Sequence, residues 1–324
     1  MRLGIVLTAR CNASCAHCSK SYGPHRTEHL GKEDICRLMD EAAAIEDGEP
    51  LAFDLTGGEP FLDFELLVEV VSYGARLGAD ISCVTNAFWA RDDGTAKSRL
   101  RTLHSAGLTL LSVSVSRFHQ RFVALRRARR ALTIASDLGL KTELKGAVTR
   151  SDLEPGGARE TWQATLDADW VSIFPVLPRL RDGESLPEME YYREPGLPEH
   201  RCPGDMVCVD FDGLARSCCT LGYGDPFLVV GDVHSTALQK IHQTFREGGK
   251  QRILRERGPI EFARGAIAAG LGDRLRSAYA GPCDLCLHIQ SDPQLRAVAE
   301  AMAGAAATTG AADRVGHTSE TQRT

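Results

Sequence analysis

The sequence predicts an α/β protein, a partial (β/α)6 TIM barrel followed by a small C-terminal domain built from a β-hairpin and a helix. Three observations carry that expectation. Over residues 1–178 short apolar runs alternate with helical patterns; prolines then end the alternation; and cysteines gather after the first apolar run and again beyond the prolines. The apolar runs are Leu3–Leu7, Leu51–Leu55, Ile81–Thr85, Leu110–Val115, Thr142–Val148 and Trp170–Pro175. Runs this short and this apolar suit strands covered on both faces of a parallel sheet. Between them lie helix-like stretches at Lys32–Ile45, Phe64–Leu77, Gly94–Ser105, Phe122–Leu138 and Ala158–Ala168. Six such units fit a partial barrel, with chemistry at the C-terminal ends of the strands.

Pro178, Pro187, Pro195, Pro198 and Pro203 punctuate residues 178–203, and residues 179–201 read as a linker. Residues 202–302 form the second, cysteine-bearing domain, and the small polar residues 303–324 read as a disordered tail. The chain has 324 residues, 43% of them hydrophobic, and a formal net charge of −5. That balance offers no basic face for nucleic acid. The one local exception, Arg126-Arg127-Ala128-Arg129-Arg130, reads as the solvated face of an amphipathic helix. No segment approaches the roughly 18–20 apolar residues that cross a bilayer, and Leu3–Leu7 is too short for a signal-peptide core. A cytoplasmic protein is expected, and there eleven cysteines point to metal or catalysis rather than disulfides.

Cys11-Asn-Ala-Ser-Cys15-Ala-His-Cys18 follows the first strand directly. Three closely spaced thiolates can hold one face of an iron–sulfur cube and leave one iron open. Zinc competes for such cysteines, but its closed sites want paired ligands and a fourth partner that this spacing does not supply nearby. The C-x3-C-x2-C spacing after the first strand of a βα array resembles the radical S-adenosylmethionine (SAM) superfamily. His17 stands where that family often has an aromatic residue. Thr56-Gly57-Gly58-Glu59-Pro60 after the second strand, by itself a tight turn, looks like the family's GGEP element beside it. The resemblance implies that Gly57, Gly58, Glu59 and Pro60 serve the SAM amino group. Thr85, Asn86, Ser114 and Ser116, after strands three and four, are candidate contacts to its carboxylate or ribose. It also implies a 4Fe-4S cluster on Cys11, Cys15 and Cys18, reductive cleavage of SAM to a 5′-deoxyadenosyl radical, and hydrogen abstraction from substrate.

A second set comprises Cys202, Cys208, Cys218, Cys219, Cys283 and Cys286. Asp212-Gly213 reads as a hairpin turn between Met206–Phe211 and Leu214–Ser217, so cysteines at its two ends can meet. Cys283 and Cys286 add two ligands from one turn, and four would close a second cluster. This arrangement looks like the auxiliary domain of SPASM/twitch radical SAM enzymes, in the twitch form with one auxiliary 4Fe-4S cluster. Cys208 rivals Cys202 as a ligand but reads as a buried strand residue, and Cys36 and Cys83 read as core.

Adjacent residues of an extended segment face opposite ways, so only one of Cys218 and Cys219 can join the cluster comfortably. The other is a spare buried cysteine or a hydrogen-atom donor, because a thiol S–H bond is weaker than a C–H bond. His200-Arg-Cys202-Pro203-Gly204 through Cys218-Cys219, with Thr85-Asn86-Ala-Phe-Trp89 and Phe118-His119, looks like the YydG-type radical SAM peptide epimerases over about residues 1 to 300. That likeness makes Cys219 the donor and Cys202, Cys218, Cys283 and Cys286 the auxiliary ligands. It departs at Ser116, where those enzymes tend to carry aspartate, and at Asp205-Met206 after the Cys-Pro-Gly element.

The expected activity is therefore epimerisation of an amino-acid residue in a ribosomally made peptide, with a reductant such as flavodoxin or ferredoxin. Oxidation or cross-linking of a peptide is the first alternative, followed by epimerisation or dehydrogenation of a small molecule such as a sugar. The first strand begins at residue 3, so no separate peptide-recognition domain is expected ahead of it. A non-catalytic electron carrier or redox sensor is the alternative from another class; a SAM pocket would serve it no purpose. His119, Arg117 and Lys145 are candidates for the barrel mouth.

Overall fold

A computed structural model describes residues 1–202, 204–218 and 226–318. The barrel strands are β1 (Arg2–Val6), β2 (Ala52–Thr56), β3 (Asp80–Thr85), β4 (Leu110–Val115), β5 (Lys141–Val148) and β6 (Trp170–Pro175). All six run parallel in that order. Each matches an expected run to within a residue. Leu3, Ile5, Phe53, Leu55, Ile81, Cys83 and Leu111 are wholly buried under the outer helices, as the continuous apolar runs require.

The connecting helices are α1 (Lys32–Ala43), α2 (Phe64–Arg76), α3 (Asp93–Ala106), the single turn α4 (Arg117–Gln120), α5 (Leu125–Asp137), the single turn α6 (Arg150–Leu153) and α7 (Ala158–Thr165). Asp63 and Asp92 cap α2 and α3 by accepting from Leu66 N and Thr95 N. Gly107 ends α3 in the left-handed conformation at φ 109°. The expected helix at Phe122–Leu138 starts three residues later, because Ser116 caps the separate turn α4 ahead of it.

Beyond the barrel come β7 (Glu194–Pro195), β8 (Val207–Val209), β9 (Leu214–Arg216), β10 (Val229–Asp232), α8 (Leu238–Glu247), α9 (Gly249–Glu256), α10 (Ile260–Ala268), β11 (Ala278–Tyr279), α11 (Pro282–Ser291) and α12 (Pro293–Thr318). The expected hairpin is β8 and β9, turning at Asp212-Gly213. Its placement was not foreseen: β8 pairs in parallel with β1, giving one nine-stranded sheet in the order β10-β9-β8-β1-β2-β3-β4-β5-β6. Val207, Val209, Ala215 and Ile241 share the barrel's hydrophobic core, while Phe227, Leu254, Phe262, Leu285 and Leu295 form a second one. Between Trp170–Pro175 and the hairpin, β7 pairs with β11. The helix α12 runs past Met302 into the stretch expected to be disordered, through alanines with the highest helix propensity. Residues 319–324, Pro203 and Cys219 lie outside the described residues. Among the described residues no helix is long and apolar enough to cross a membrane.

A buried ionic group fastens the hairpin to the loop after β1. The Asp210 carboxylate accepts from Lys20 Nζ (2.8 Å) and Tyr22 Oη (2.9 Å), and Arg216 Nη1 lies 3.5 Å away. Asp210 and Arg216 are both almost inaccessible. Burial pushes the Asp210 carboxyl up, but Lys20 and the bonds from Lys20, Tyr22 and Phe211 N outweigh it and hold it below its ordinary value. A depressed carboxylate stabilises the fold above its unfolded pKa, and that contribution fades as pH falls through the folded one. Asp210→Asn is expected to cost about 3–5 kcal/mol at neutral pH by leaving Lys20 without its carboxylate and Arg216 with Asp212 alone. Urea unfolding should show the gap to wild type narrowing as pH drops below the carboxylate range; a gap independent of pH would remove Asp210 from this role.

Candidate active site

Three loops at the C-terminal ends of β1, β2 and β3 meet over the barrel mouth. The first carries the cysteines. Cys11 N donates to Gly23 O (3.1 Å) and Cys18 N to Cys15 O (3.1 Å), folding the loop on itself. Cys11 and Cys15 are buried and Cys18 is half-buried. All three line one cavity of about 200 Å³ with His17, Tyr22, Thr56, Gly57, Gly58, Thr85, Asn86, Ser114, His119 and Arg181.

The second loop can approach the first only because it has no side chains there. Gly58 N donates to Thr8 O (2.6 Å) and Glu59 N to Arg10 O (2.9 Å). A Cβ on Gly58 would sit 2.1 Å from Arg10 O, and one on Gly57, at φ +150°, 2.5 Å from Thr8 O. Glu59, Pro60 and Ser116 lie behind the cavity lining rather than on it. The Glu59 carboxylate accepts from Thr85 Oγ1 (2.7 Å), Asn86 N (2.8 Å) and Phe61 N (3.2 Å). Burial lifts its pKa to about 7 against those three donors.

The third loop is shaped by that carboxylate. Thr85 Oγ1 accepts from Trp89 Nε1 (2.9 Å) and Ala87 N (3.0 Å), with Ala87 in the left-handed region at φ 60°. Asn86 then reaches back, donating to Asn12 Oδ1 (2.9 Å) and approaching Cys11 Sγ (3.7 Å). Ser114 joins the lining, whereas the Ser116 hydroxyl is engaged with His119 N and Nδ1. His17 stacks on Phe118 with centroids 5.0 Å apart and meets His119 edge-on at 4.8 Å, so it packs as an aromatic residue would. Burial, then the neighbouring His119, lower its pKa to about 3, keeping the ring neutral.

Arg117 is taken up by Glu190 (2.6 Å) and Ser151, and Lys145 faces Glu143 (3.4 Å). Two lining residues were not foreseen. Tyr22 follows the cysteines without any motif of its own. Arg181, from the proline-rich stretch, donates to the carbonyls of Cys15 (3.3 Å), Ser21 (3.3 Å) and Tyr22. No spacing rule reaches across 160 residues to find it.

The donor set fits a cluster open on one side. Burial pushes the Cys11 thiol up to about 12 despite the Ala13 N–H, and burial does the same to Cys15. Such thiols ionise only against a strong positive charge, which a metal centre supplies. Ala13 N (3.4 Å) and Asn86 Nδ2 already point at Cys11 Sγ. Among the described residues no three His, Cys, Asp or Glu side chains converge on a point suited to one ion; a cube, with its irons at separate corners, needs a wider set.

The second set also converges. Cys202, Cys218, Cys283 and Cys286 line one small cavity walled by Leu228, Leu254, Pro259 and Pro282. Cys283 and Cys286 lie about one turn apart at the start of α11, and Cys202 N is held by Leu254 O (3.1 Å). Burial, then Cys218, Cys202 and Cys283, drive the Cys286 thiol well above its ordinary pKa. Cys208 is elsewhere, its sulfur packed in the sheet where a Cβ on Gly4 would come within 2.5 Å.

Fold and cavity together define a protein that presents an open three-cysteine site at the mouth of a parallel barrel. Residues 5–163 match the Radical SAM superfamily model, and the chain carries a radical SAM domain, of a family whose members use a 4Fe-4S cluster and SAM. It is 23% identical over 260 residues to the putative peptide biosynthesis protein YydG of Bacillus subtilis (strain 168), covering 79% of this chain and 81% of that one. A shorter match, 33% over 132 residues, links 39% of this chain to 37% of the GTP 3′,8-cyclase of Listeria welshimeri serovar 6b. Among solved structures, native anSMEcpe with bound AdoMet superposes with a TM-score of 0.57 at 13% identity, over 79% of this chain and 83% of that one. The same protein with AdoMet and the Cp18Cys peptide gives 0.56 at 14% identity, over 93% and 100%.

Gly58→Ala is expected to destabilise the fold by about 1–3 kcal/mol, the usual range for overpacking. Equilibrium dialysis should show SAM binding weakened about tenfold or more. Unchanged SAM affinity would mean that this approach of the two loops does not shape the cavity.

Proposed function

We propose that the enzyme epimerises an amino-acid residue of a ribosomally made peptide in the cytoplasm, with Cys219 returning the hydrogen atom. The observation that carries this reading is the meeting of Cys202, Cys218, Cys283 and Cys286 around one cavity. Four thiols complete a closed auxiliary 4Fe-4S site, and Cys219, next in the chain to Cys218, is left over. The similarity to YydG, named for peptide biosynthesis, favours a peptide.

When loaded at Cys11, Cys15 and Cys18, the cluster and SAM supply a 5′-deoxyadenosyl radical that takes a hydrogen atom from substrate. The protein's own part is placement. Gly57 and Gly58 bring backbone to the cavity, Thr85, Asn86 and Ser114 offer polar contacts to SAM, and Glu59 fixes the Thr85–Asn86 turn from behind. Neutral His17 and His119 close one wall. Cys219 gives its S–H hydrogen to the substrate carbon radical: the S–H bond breaks and a C–H bond forms on the opposite face. The thiyl sulfur is restored by one proton and one electron from an external reductant of the flavodoxin or ferredoxin kind.

Iron and sulfide after anaerobic reconstitution should reach about eight of each per chain in both wild type and Cys219→Ala, and about four when Cys283 and Cys286 are both alanine. A fall to about four in Cys219→Ala would make Cys219 a ligand and move the activity to oxidation. With peptide in D2O, wild type should place one deuterium on each inverted carbon. Cys219→Ser should release 5′-deoxyadenosine yet fail to invert; inversion at the wild-type rate would defeat the proposal.

A further inference from the structure

The basic run at the start of α5 divides into two pairs with different tasks. Arg127 Nη1 donates to Phe88 O (2.6 Å), and Arg130 Nη1 donates to Ala90 O and Arg91 O (2.9 Å each) while pairing with Asp93. These two arginines hold the loop that begins at Asn86. Arg126 and Arg129 point outward and are exposed, as are Arg121 and Arg91 on the adjoining loops. Among the described residues none of these four has a carboxylate at ion-pair distance. Phe122, 44% exposed, follows Arg121 in the chain, three residues ahead of α5. The chain as a whole carries −5, so four exposed cations without an ion-paired carboxylate at and near the start of α5 run against its overall charge.

The patch borders the cysteine cavity. Phe122 N and Val123 N both donate to His119 O (2.9 and 2.8 Å). The His119 ring touches the His17 ring, and His17 lies between Cys15 and Cys18 in the chain. A packed route thus leads from exposed Phe122 through His119 and His17 to the cysteine loop.

We propose that the face formed by Arg91, Arg121, Phe122, Arg126 and Arg129 docks a small acidic one-electron carrier protein. This rests on the radical SAM reading, because that chemistry needs an electron delivered to the site at Cys11, Cys15 and Cys18. A negatively charged carrier is repelled by an acidic surface and steered toward a basic region of it. Bound there, an anionic flavin hydroquinone would give up one electron and become the neutral semiquinone, the electron going to the cluster that Cys11, Cys15 and Cys18 would hold. No proton moves and no bond in this chain forms or breaks. A nucleic acid is disfavoured because the cations are confined to one helix turn and its neighbouring loops rather than forming a long stripe.

The test uses the reconstituted enzyme, a bacterial flavodoxin and the double variant Arg126→Glu/Arg129→Glu. Flavodoxin binding, followed by titration calorimetry, should weaken about tenfold or more in the variant, and several-fold in wild type when salt rises from about 50 to about 300 mM. SAM cleavage to 5′-deoxyadenosine driven by reduced flavodoxin should fall in parallel, whereas cleavage driven by dithionite should stay within about twofold of wild type. Equal flavodoxin affinity in both proteins would overturn the docking proposal. So would loss in the variant of binding to a duplex oligonucleotide while flavodoxin binding stays unchanged. A wild type that bound flavodoxin but cleaved no SAM with either reductant would instead count against the radical SAM reading, leaving the binding result to stand by itself.

Discussion

The architecture of the site depends on one buried carboxylate. Glu59 is fully inaccessible, and moving a carboxylate out of water is costly unless donors replace the lost solvation. Three donors do so: Thr85 Oγ1, Asn86 N and Phe61 N. Two belong to the turn after β3 and one to the turn after β2, so the carboxylate fixes both turns relative to each other. Through Asn86 the constraint passes to Asn12 and Cys11 on the loop after β1. Three loops that are distant in sequence are thereby held as one body. The glycines complete it, since the backbone of Gly57 and Gly58 occupies space that any Cβ would contest with Thr8 and Arg10.

A second fixed point joins this body to the hairpin that leads to Cys218. Asp210 receives Lys20 and Tyr22, which follow the first cysteine cluster, and lies beside Arg216 at the end of β9. Tyr22 also lines the barrel cavity. The parallel pairing of β8 with β1 aligns the same segments through the backbone. Any displacement of the hairpin therefore acts on the wall of the first site, and the two cysteine sets share a scaffold instead of hanging on separate hinges.

The legible parts of the sequence were those governed by local rules. Strand bounds followed from apolar runs, and Trp170–Pro175 and Leu110–Val115 matched to the residue. The first cysteine cluster stood out by its spacing along the chain, and the GGEP turn by its resemblance to the radical SAM element expected beside such a cluster. Pairing of β8 with β1 was not legible, since a three-residue strand carries too little pattern to name a partner 200 residues away. Arg181 escaped for the same reason. Glu59 was recognised as part of the site but not as its internal support, because which way a carboxylate faces depends on donors supplied by another strand.

The two cysteine sets also differ in what surrounds them, and that difference bears on their chemistry. The first cavity is bordered by Thr56, Thr85, Asn86, Ser114, His119 and Arg181. Such a lining offers donors and acceptors to a polar guest, and a three-thiol set leaves a position for one to bind. The second is walled by Leu228, Leu254, Pro259 and Pro282, with Ser217 beside the thiols and Gln290 Nε2 3.1 Å from Cys286 Sγ. An apolar wall gives a polar substrate nothing in exchange for its water, so it suits a group whose every ligand comes from the protein. Substrate chemistry therefore belongs to the barrel mouth.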